Sequence, residues 1–210
     1  AIFDMRKGST PMGAIETAMI DVSYAQVGKS LNIPTHCYLG ATESKVVDAQ
    51  AGLESGMSAL VGALAGINMI SGAGMLDFLA CHSPEKLTID AEAIGMAKRM
   101  LEGVSARTET LATAMFEGIN FKGDFLKQRV TRELFSEEQY LPSEVIDRDS
   151  IRGWQQAGRM DTFARAKIRT KKLLDEYQRP EMDADKEKEL IRMVETLAKK
   201  AGMNRLPELE

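Results

Sequence analysis

Three short segments of the sequence hold most of the side chains that could bind a ligand, and each follows an apolar run. They are residues 3–6 (Phe-Asp-Met-Arg), 38–42 (Tyr-Leu-Gly-Ala-Thr) and 71–77 (Ser-Gly-Ala-Gly-Met-Leu-Asp). If the apolar runs are parallel strands, their carboxyl ends open at one edge of a sheet, where ligands bind in α/β folds. The sequence therefore predicts one ligand site built from these three segments.

Charged and amide side chains at this edge each allow two interpretations. Asp4 and Arg6 could form an ion pair that holds the loop, or one or both could bind a carboxylate or ammonium group of a substrate. Gln50, early in the helix predicted after the second segment, could point into the site or into solvent. The spacing leaves both questions open.

Glycines mark the second and third segments. Gly40, Gly72 and Gly74 could let the backbone approach a ligand closely, or they could serve only the turns between strands and helices. The run Gly72-Ala73-Gly74 lacks the third glycine of a dinucleotide-binding turn. It is therefore only a weak indication of a phosphate-binding loop.

The histidines and cysteines lack the spacing of metal ligands, so we predict no metal site. His36 alternates with Cys37 along a predicted strand, which is typical of a packed residue. His82 follows the third glycine segment and is the better candidate for binding. Two cysteines, Cys37 and Cys81, are too few for a disulfide framework, and this low usage fits a reducing cytoplasm.

Three repeats of strand, loop and helix form the frame for these segments. Strands are predicted at residues 1–5, 33–39 and 67–71, and helices at residues 15–31, 46–64 and 84–102. This order predicts the α/β class, with a parallel sheet and right-handed crossovers. An eight-unit barrel needs about 250 residues, so we expect residues 1–104 to be a partial barrel preceded by a further segment.

The remaining residues, 105–210, are charged and have few strand signals. Helices are predicted at residues 109–118, 125–135, 150–157, 160–177 and 183–202, with a turn at 120–124. We expect this helical region to pack on the partial barrel.

Composition excludes some partners. The net charge is −4, and lysine and arginine alternate with acidic residues, which argues against a nucleic-acid surface. The longest apolar stretch, residues 57–75, is interrupted by glycine, serine and asparagine, so we expect no membrane span. No signal peptide is recognisable, and a cytoplasmic location is expected.

Several strings resemble one known family. Residues 4–8 (Asp-Met-Arg-Lys-Gly), 13–16 (Gly-Ala-Ile-Glu) and 85–92 contribute, and residues 44–55 (Ser-Lys-Val-Val-Asp-Ala-Gln-Ala-Gly-Leu-Glu-Ser) are the most specific match. Residues 123–126 and 147–148, with Trp154 and Gly158, extend the likeness toward the carboxyl end. In this order they resemble the trimethylamine methyltransferase family.

The resemblance implies the carboxy-terminal part of a (β/α)8 barrel enzyme of one-carbon metabolism and methanogenesis. Such an enzyme transfers a methyl group from a methylated amine to Co(I) of cobalamin, a corrinoid carried by a partner protein. Trimethylamine-specific members contain pyrrolysine, and this sequence shows none. Members without pyrrolysine resemble demethylases of quaternary amines such as glycine betaine, so a quaternary amine is the expected substrate.

The implied chemistry needs few titratable residues. A methyl group leaving a quaternary nitrogen leaves a neutral amine behind, so the protein needs only to position the reactants and exclude water. Phe3, Tyr38 and Phe78 are candidates for an aromatic cage around the cation, although each could be a core residue. If the substrate carries a carboxylate, Arg6 is the expected partner.

One alternative is a non-catalytic α/β module that docks a partner protein or binds a phosphate ligand. In either case a partial barrel has an exposed sheet edge, and exposed edges pair with other chains. We therefore expect a homo-oligomer.

Overall fold

The computed structural model describes residues 1–106, 113–117, 119 and 123–203. The chain divides into two compact units, Ala1–Leu173 and Leu174–Glu210. The elements of the first half are α1 (Ile15–Ser30), β1 (His36–Cys37), α2 (Ala49–Leu64), β2 (Met69–Ile70), β3 (Met75–Leu76), β4 (Cys81–His82) and α3 (Pro84–Glu102). They are followed by 3-10 turns at Thr113–Phe116 and Phe125–Lys127, then α4 (Arg129–Glu138), α5 (Ile151–Gln156), α6 (Thr162–Asp175) and α7 (Ala184–Lys200).

Strands β1 and β2 are parallel, with His36 opposite Met69 and Cys37 opposite Ile70. Helix α2 connects them, so the predicted β-α-β order is confirmed and the chain is of the α/β class. Each strand has two residues rather than the five to seven predicted. Hydrogen bonds nevertheless continue beyond the strands, since Ser71 N donates to Cys37 O at 3.0 Å.

Two expectations about strands were wrong. Residues 1–5 do not form a strand: Asp4 makes an antiparallel bridge to Ser9 across a tight turn. Gly8 has a φ of +66°, and its N–H donates to Asp4 O at 2.8 Å, so the chain reverses where an extended run was predicted. Strands β3 and β4 form an antiparallel hairpin where a loop was expected. Each strand has only two residues, which is too short for a recognisable pattern in the sequence.

Capping residues explain where the helices begin and end. Asp48 accepts a hydrogen bond from Ala51 N at 3.0 Å, so α2 begins at Ala49 rather than at residue 46. Ser83 caps α3 and Pro84 occupies its first turn, as predicted. Asn32, with a φ of +56°, follows the end of α1 in the left-handed conformation.

The core between α1, the parallel strands and the end of α2 is built from small and medium residues. Its buried members are Ala18, Ala25, Cys37, Leu39, Ala65 and Ile67. A Cβ atom on Gly62 of α2 would lie 2.9 Å from side-chain carbons of both Leu39 and Ile70. The absence of a side chain at Gly62 therefore lets α2 pack tightly on the strands.

The second half of the chain is helical in its described residues, as predicted. Within the first unit it is anchored to α3, since the Tyr140 hydroxyl donates to Glu92 Oε2 at 2.8 Å. Thr88 and Thr170 hydroxyls lie 2.9 Å apart. The helix predicted at 109–118 and the turn predicted at 120–124 fall largely outside the described residues. The predicted boundary between residues 104 and 105 stays a prediction.

The second unit contains α7, which Asp183 caps by accepting from Asp185 N and Lys186 N. Gly202, with a φ of +81°, lies just beyond its end, as predicted. Arg179 and Glu187 form an ion pair at 2.9 Å within this unit. Across the described ranges, every helix is too short or too polar to span a bilayer.

Candidate functional site

The loops that follow β1 and β2 lie against each other, so the second and third predicted segments meet. Gly72 N donates to Leu39 O at 3.1 Å, and Asp77 N donates to Ser44 O at 3.1 Å. A Cβ atom on Gly72 would lie 2.0 Å from Tyr38 O, so only glycine allows this approach. Both loops therefore open at the same edge of the parallel pair.

A buried ion pair on α3 ties both loops to that helix. Lys86 is 1% exposed, and its Nζ donates to Gly40 O at 3.3 Å, to Ser55 Oγ at 2.7 Å and to the carboxylate of Asp90. Asp90 Oδ2 also accepts from Gly74 N at 2.7 Å. Burial raises the pKa of the Asp90 carboxyl, against the opposing effect of the hydrogen bonds from Gly74 and Lys86. The pair fixes both glycine segments.

The third glycine segment has little capacity for a phosphate. The N–H groups of Gly72 and Gly74 already donate to Leu39 O and to the Asp90 carboxylate. A Cβ atom on Gly74 would lie 2.5 Å from His82 Nε2. These glycines allow parts of the protein to approach each other, and a phosphate would have to displace the acceptors that they use.

An open cleft of about 680 Å³ borders these loops. It brings together five residues that were predicted from the sequence as candidates for binding, namely Phe3, Asp4, Arg6, Gln50 and Phe78. The first predicted segment and the helix after the second one therefore contribute to a common site. Other charged residues of its lining were not predicted as binding residues: Lys7, Glu16, Glu43, Lys45 and Glu54.

Hydrogen bonds hold two carboxylates of the cleft in fixed orientations. Glu43 Oε1 accepts from Met12 N at 2.5 Å and from Gly13 N at 2.7 Å. Glu54 Oε2 accepts from Thr42 Oγ1 at 2.5 Å and from Glu43 N at 2.9 Å. A Cβ atom on Gly13 would lie 2.9 Å from Glu43 Oε2 and 3.1 Å from Glu54 Oε2. Protein donors thus hold both carboxylates in fixed orientations beside the cleft.

Asp4 and Arg6 form the ion pair that the sequence left as one alternative. The Asp4 carboxylate accepts from Arg6 N at 2.9 Å, Nε at 3.1 Å and Nη2 at 3.0 Å. The hydrogen bond between the side chains lowers the pKa of Asp4 and raises that of Arg6. Arg6 Nη1 makes no hydrogen bond to the described residues, so part of the guanidinium remains available.

Gln50 lines the cleft, and its side-chain amide binds another lining residue, since its Nε2 donates to Glu54 Oε1 at 2.9 Å. Tyr38 and His82 do not line the cleft. The Tyr38 ring packs edge-on against the His36 ring at a centroid distance of 5.1 Å, and His36 Nε2 lies 2.7 Å from Ser71 Oγ. His82 lies in β4 beside Gly74.

The cysteines do not pair: Cys37 is buried, Cys81 is exposed, and both are free thiols. Burial raises the pKa of the Cys37 thiol. Within the part of the chain that the structure describes, no group of three or more histidine, cysteine, aspartate or glutamate side chains could hold a metal ion.

The sequence carried a signal for some of the residues that were missed. Glu54 follows Gln50 by four residues, and this spacing places both side chains on the same face of α2. Glu43 and Lys45 come directly after the Gly40 turn, at the carboxyl end of a predicted strand. Charged residues in a loop also look like solvated surface, which is why the pattern alone did not select them.

Comparisons with known proteins agree over nearly the whole chain. The sequence profile of trimethylamine methyltransferase (MTTB) matches residues 1–203. Trimethylamine methyltransferase MttB2 of Methanosarcina mazei is 33% identical over 195 residues, which cover 92% of this chain and 39% of that protein. Glycine betaine methyltransferase of Desulfitobacterium hafniense is 31% identical over 203 residues, covering 96% of this chain and 42% of that protein.

A trimethylamine methyltransferase MttB of Desulfitobacterium hafniense is 31% identical over 176 residues, covering 84% of this chain and 35% of that protein. The chain thus spans about two fifths of the length of the curated relatives it matches. The match of the profile to residues 1–203 places the cleft, both loops and the helical second half within one family alignment. This chain belongs to the trimethylamine methyltransferase (MTTB) family.

Proposed function

We propose that this chain is part of an enzyme that moves a methyl group from a quaternary amine to the Co(I) corrinoid of a partner protein. Membership of a methyltransferase family over residues 1–203 carries the proposal. The names of the relatives give trimethylamine and glycine betaine as substrates, and a methylated nitrogen is common to both.

The lining of the cleft supports a cationic substrate. Glu43 and Glu54 present oriented carboxylates, and Phe3 and Phe78 present aromatic rings to the same space. A methylated ammonium is attracted both by carboxylates and by the faces of aromatic rings. Its methyl groups remove it from strong hydration, so an aromatic and carboxylate lining suits it better than it suits a metal ion.

A quaternary amine also suits the groups that this chain offers. When the C–N bond breaks, its electron pair stays on nitrogen and a neutral tertiary amine leaves, so no proton donor is needed. The residues of the cleft would hold the ammonium, align one methyl group and exclude water. Co(I) of the partner's corrinoid would supply the nucleophile. The described cleft lining includes no histidine or cysteine, which fits an acceptor held by another protein.

The unit β1–α2–β2, with its parallel pairing, supports a larger barrel. We propose that residues 1–104 contribute the consecutive units β1–α2 and β2–α3 to a (β/α)8 barrel, rather than the three units expected from the sequence, and that residues 105–210 pack on it. We also propose that the protein forms a homo-oligomer, because free edges of strands favour pairing with another chain or coverage by it. A cytoplasmic location is part of the same proposal.

A transfer assay tests the function. The protein, as its gene encodes it, is mixed with a reduced corrinoid protein and a panel of glycine betaine, choline, carnitine and trimethylamine. We expect methylated corrinoid, detected by its absorption spectrum, with at least one quaternary amine. Transfer from trimethylamine alone would contradict the choice of substrate class, and transfer from none of the four would contradict the function.

Arg6 allows a finer distinction among quaternary amines. If Arg6 Nη1 binds a substrate carboxylate, Arg6→Ala should raise the KM for glycine betaine about tenfold, the value of one charge-assisted hydrogen bond. The KM for choline, which has no carboxylate, should not change. Equal effects on both substrates, or no effect on either, would remove Arg6 from substrate binding.

A further inference from the structure

The tip of the hairpin between β3 and β4 has an unusual backbone. Asp77, Phe78 and Leu79 have φ angles of +48°, +56° and +72°, so three consecutive non-glycine residues are left-handed. Phenylalanine and leucine rarely adopt this conformation, which costs about 1–2 kcal/mol per residue. Ala80 N closes the turn by donating to Asp77 O at 2.9 Å. The surrounding contacts therefore hold Phe78 in a conformation that it would not adopt alone.

Those contacts come from the loop after β1. Asp77 N donates to Ser44 O at 3.1 Å. Lys45 Nζ lies 3.3 Å from the Asp77 carboxylate, donates to Glu43 O at 2.8 Å and sits 4.4 Å from the centroid of the Phe78 ring. Phe78 and Lys45 both line the cleft. The strained tip thus presents an aromatic ring to the cleft with an ammonium group already on its face.

A primary ammonium and a methylated ammonium compete for such a ring on unequal terms. The lysine ammonium is compact and strongly hydrated, and the Lys45 side chain is 63% exposed. Leaving the ring therefore costs Lys45 little, because water can solvate its exposed ammonium. A quaternary ammonium has no N–H groups to solvate, so it gains more from the ring.

We propose that the Phe78 ring receives the methylated ammonium of the substrate and that Lys45 is a tethered competitor for the same ring face. This inference rests on the proposed function for the identity of the substrate. Ligands whose gain from the ring exceeds that of Lys45 displace it, whereas weakly methylated amines do not. Lys45 therefore sharpens selection for highly methylated nitrogen, at the expense of overall affinity.

Calorimetric titration with tetramethylammonium chloride at constant ionic strength tests the competition without any turnover or partner protein. The protein is used as its gene encodes it. We expect Lys45→Met to tighten binding about threefold to fivefold, and Phe78→Leu to weaken it by a similar factor. In the Phe78→Leu background, Lys45→Met should have no effect, because the ring for which they compete is gone.

The double-mutant cycle separates competition from simple charge repulsion. Repulsion through space would let Lys45→Met tighten binding equally with or without Phe78, and that result would overturn the proposal. Unchanged binding in Lys45→Met would also overturn the proposal, as would absence of binding by the unaltered protein. Lys45→Gln serves as a second variant, and circular dichroism verifies folding of each.

A matched control is available in α6, where Lys167 Nζ lies 4.6 Å from the Phe163 ring centroid. Lys167 does not line the cleft. Lys167→Met removes the same charge from the same type of pair and should leave tetramethylammonium binding unchanged. Because methyl transfer is measured in a separate assay, an inactive protein that passes this test would contradict the function and not the competition at Phe78.

Discussion

Charged side chains have different uses in α3 and in the cleft. On α3, Lys86, Asp90 and Glu92 are all less than 10% exposed, and hydrogen bonds join them to backbone groups of other segments. In the cleft, Arg6 and Lys45 are exposed and retain capacity for further partners. Buried charges here fix the loops in place, whereas the open charges can respond to a ligand. The pairs Lys86–Asp90 and Lys45–Asp77 make this difference measurable.

The largest expected effect is on the buried pair. Lys86→Met leaves the Asp90 carboxylate buried without a counter-charge and should lower the free energy of unfolding by about 3–5 kcal/mol. Lys45→Met, at the exposed pair, should change it by less than about 1 kcal/mol. Urea denaturation measures both values.

Replacing both buried partners provides the control for that prediction. Lys86→Met with Asp90→Leu should recover much of the lost stability, because no unpaired charge remains. Equal losses for Lys86→Met and Lys45→Met would mean that burial does not distinguish the two pairs.

The next effect concerns the backbone that the buried pair holds. Gly72→Ala would place a Cβ atom 2.0 Å from Tyr38 O, and the forced separation of the loops should cost about 3 kcal/mol. Gly52, on the exposed face of α2, has no atom within 4 Å of such a Cβ, and Gly52→Ala should stabilise by about 1 kcal/mol through helix propensity. Thermal unfolding of the two variants should shift in opposite directions. If both shift the same way, the close approach at Gly72 is not a constraint.

The smallest expected effect is a pH dependence of the stability contributed by the hydrogen bond between Tyr140 and the buried Glu92 of α3. Burial and the hydrogen bond to Glu92 raise the pKa of Tyr140 to about 12. Since the tyrosine pKa in an unfolded chain is about 10, the neutral hydroxyl contributes stability that is fully present below pH 10 and is lost as the pH rises toward 12.

The stability difference between the unaltered protein and Tyr140→Phe should therefore shrink by about 1 kcal/mol between pH 9 and pH 11, after allowance for partial exposure of the ring. Tyr177→Phe, at a side chain that is 68% exposed, serves as the control and should show no such change. A constant difference for Tyr140→Phe would contradict the effect of Glu92.

Helix ends and the parallel strand pair were predicted well from short stretches of sequence. Ser83 and Asn32 have short polar side chains that favour helix ends, and each lies at or beside a helix end in the structure, as predicted. Asp48 has the same property but was overlooked, so α2 was predicted to begin three residues too early. The apolar run before Gly72 indicated a strand that pairs in parallel. Residues 1–5 were misjudged because an apolar run of five residues, four of them apolar, is too short to distinguish a strand from a turn closed by Gly8.

The site was predicted in part, for a physical reason. Gln50 was found because it begins a helix next to the second loop. Phe3, Asp4 and Arg6 were selected as the end of a strand that the structure does not contain, and they line the cleft from a turn instead. For Gly40 and Gly74 the sequence left a ligand and a turn as alternatives, and in the structure their backbone groups bind Lys86 and Asp90. A sequence shows that a glycine permits close approach and does not show which partner approaches.

Helix α3 binds the two glycine loops near its start and the Tyr140 segment two residues after Asp90. A single residue inserted at Ala91 would rotate everything beyond it by about 100° around the helix axis, since a turn contains 3.6 residues. Glu92 would then point away from Tyr140 and Ser143, while Lys86 and Asp90 kept their places. The number of residues between Lys86 and Glu92 is therefore fixed by these contacts, and we expect relatives to have no insertion or deletion within that part of α3.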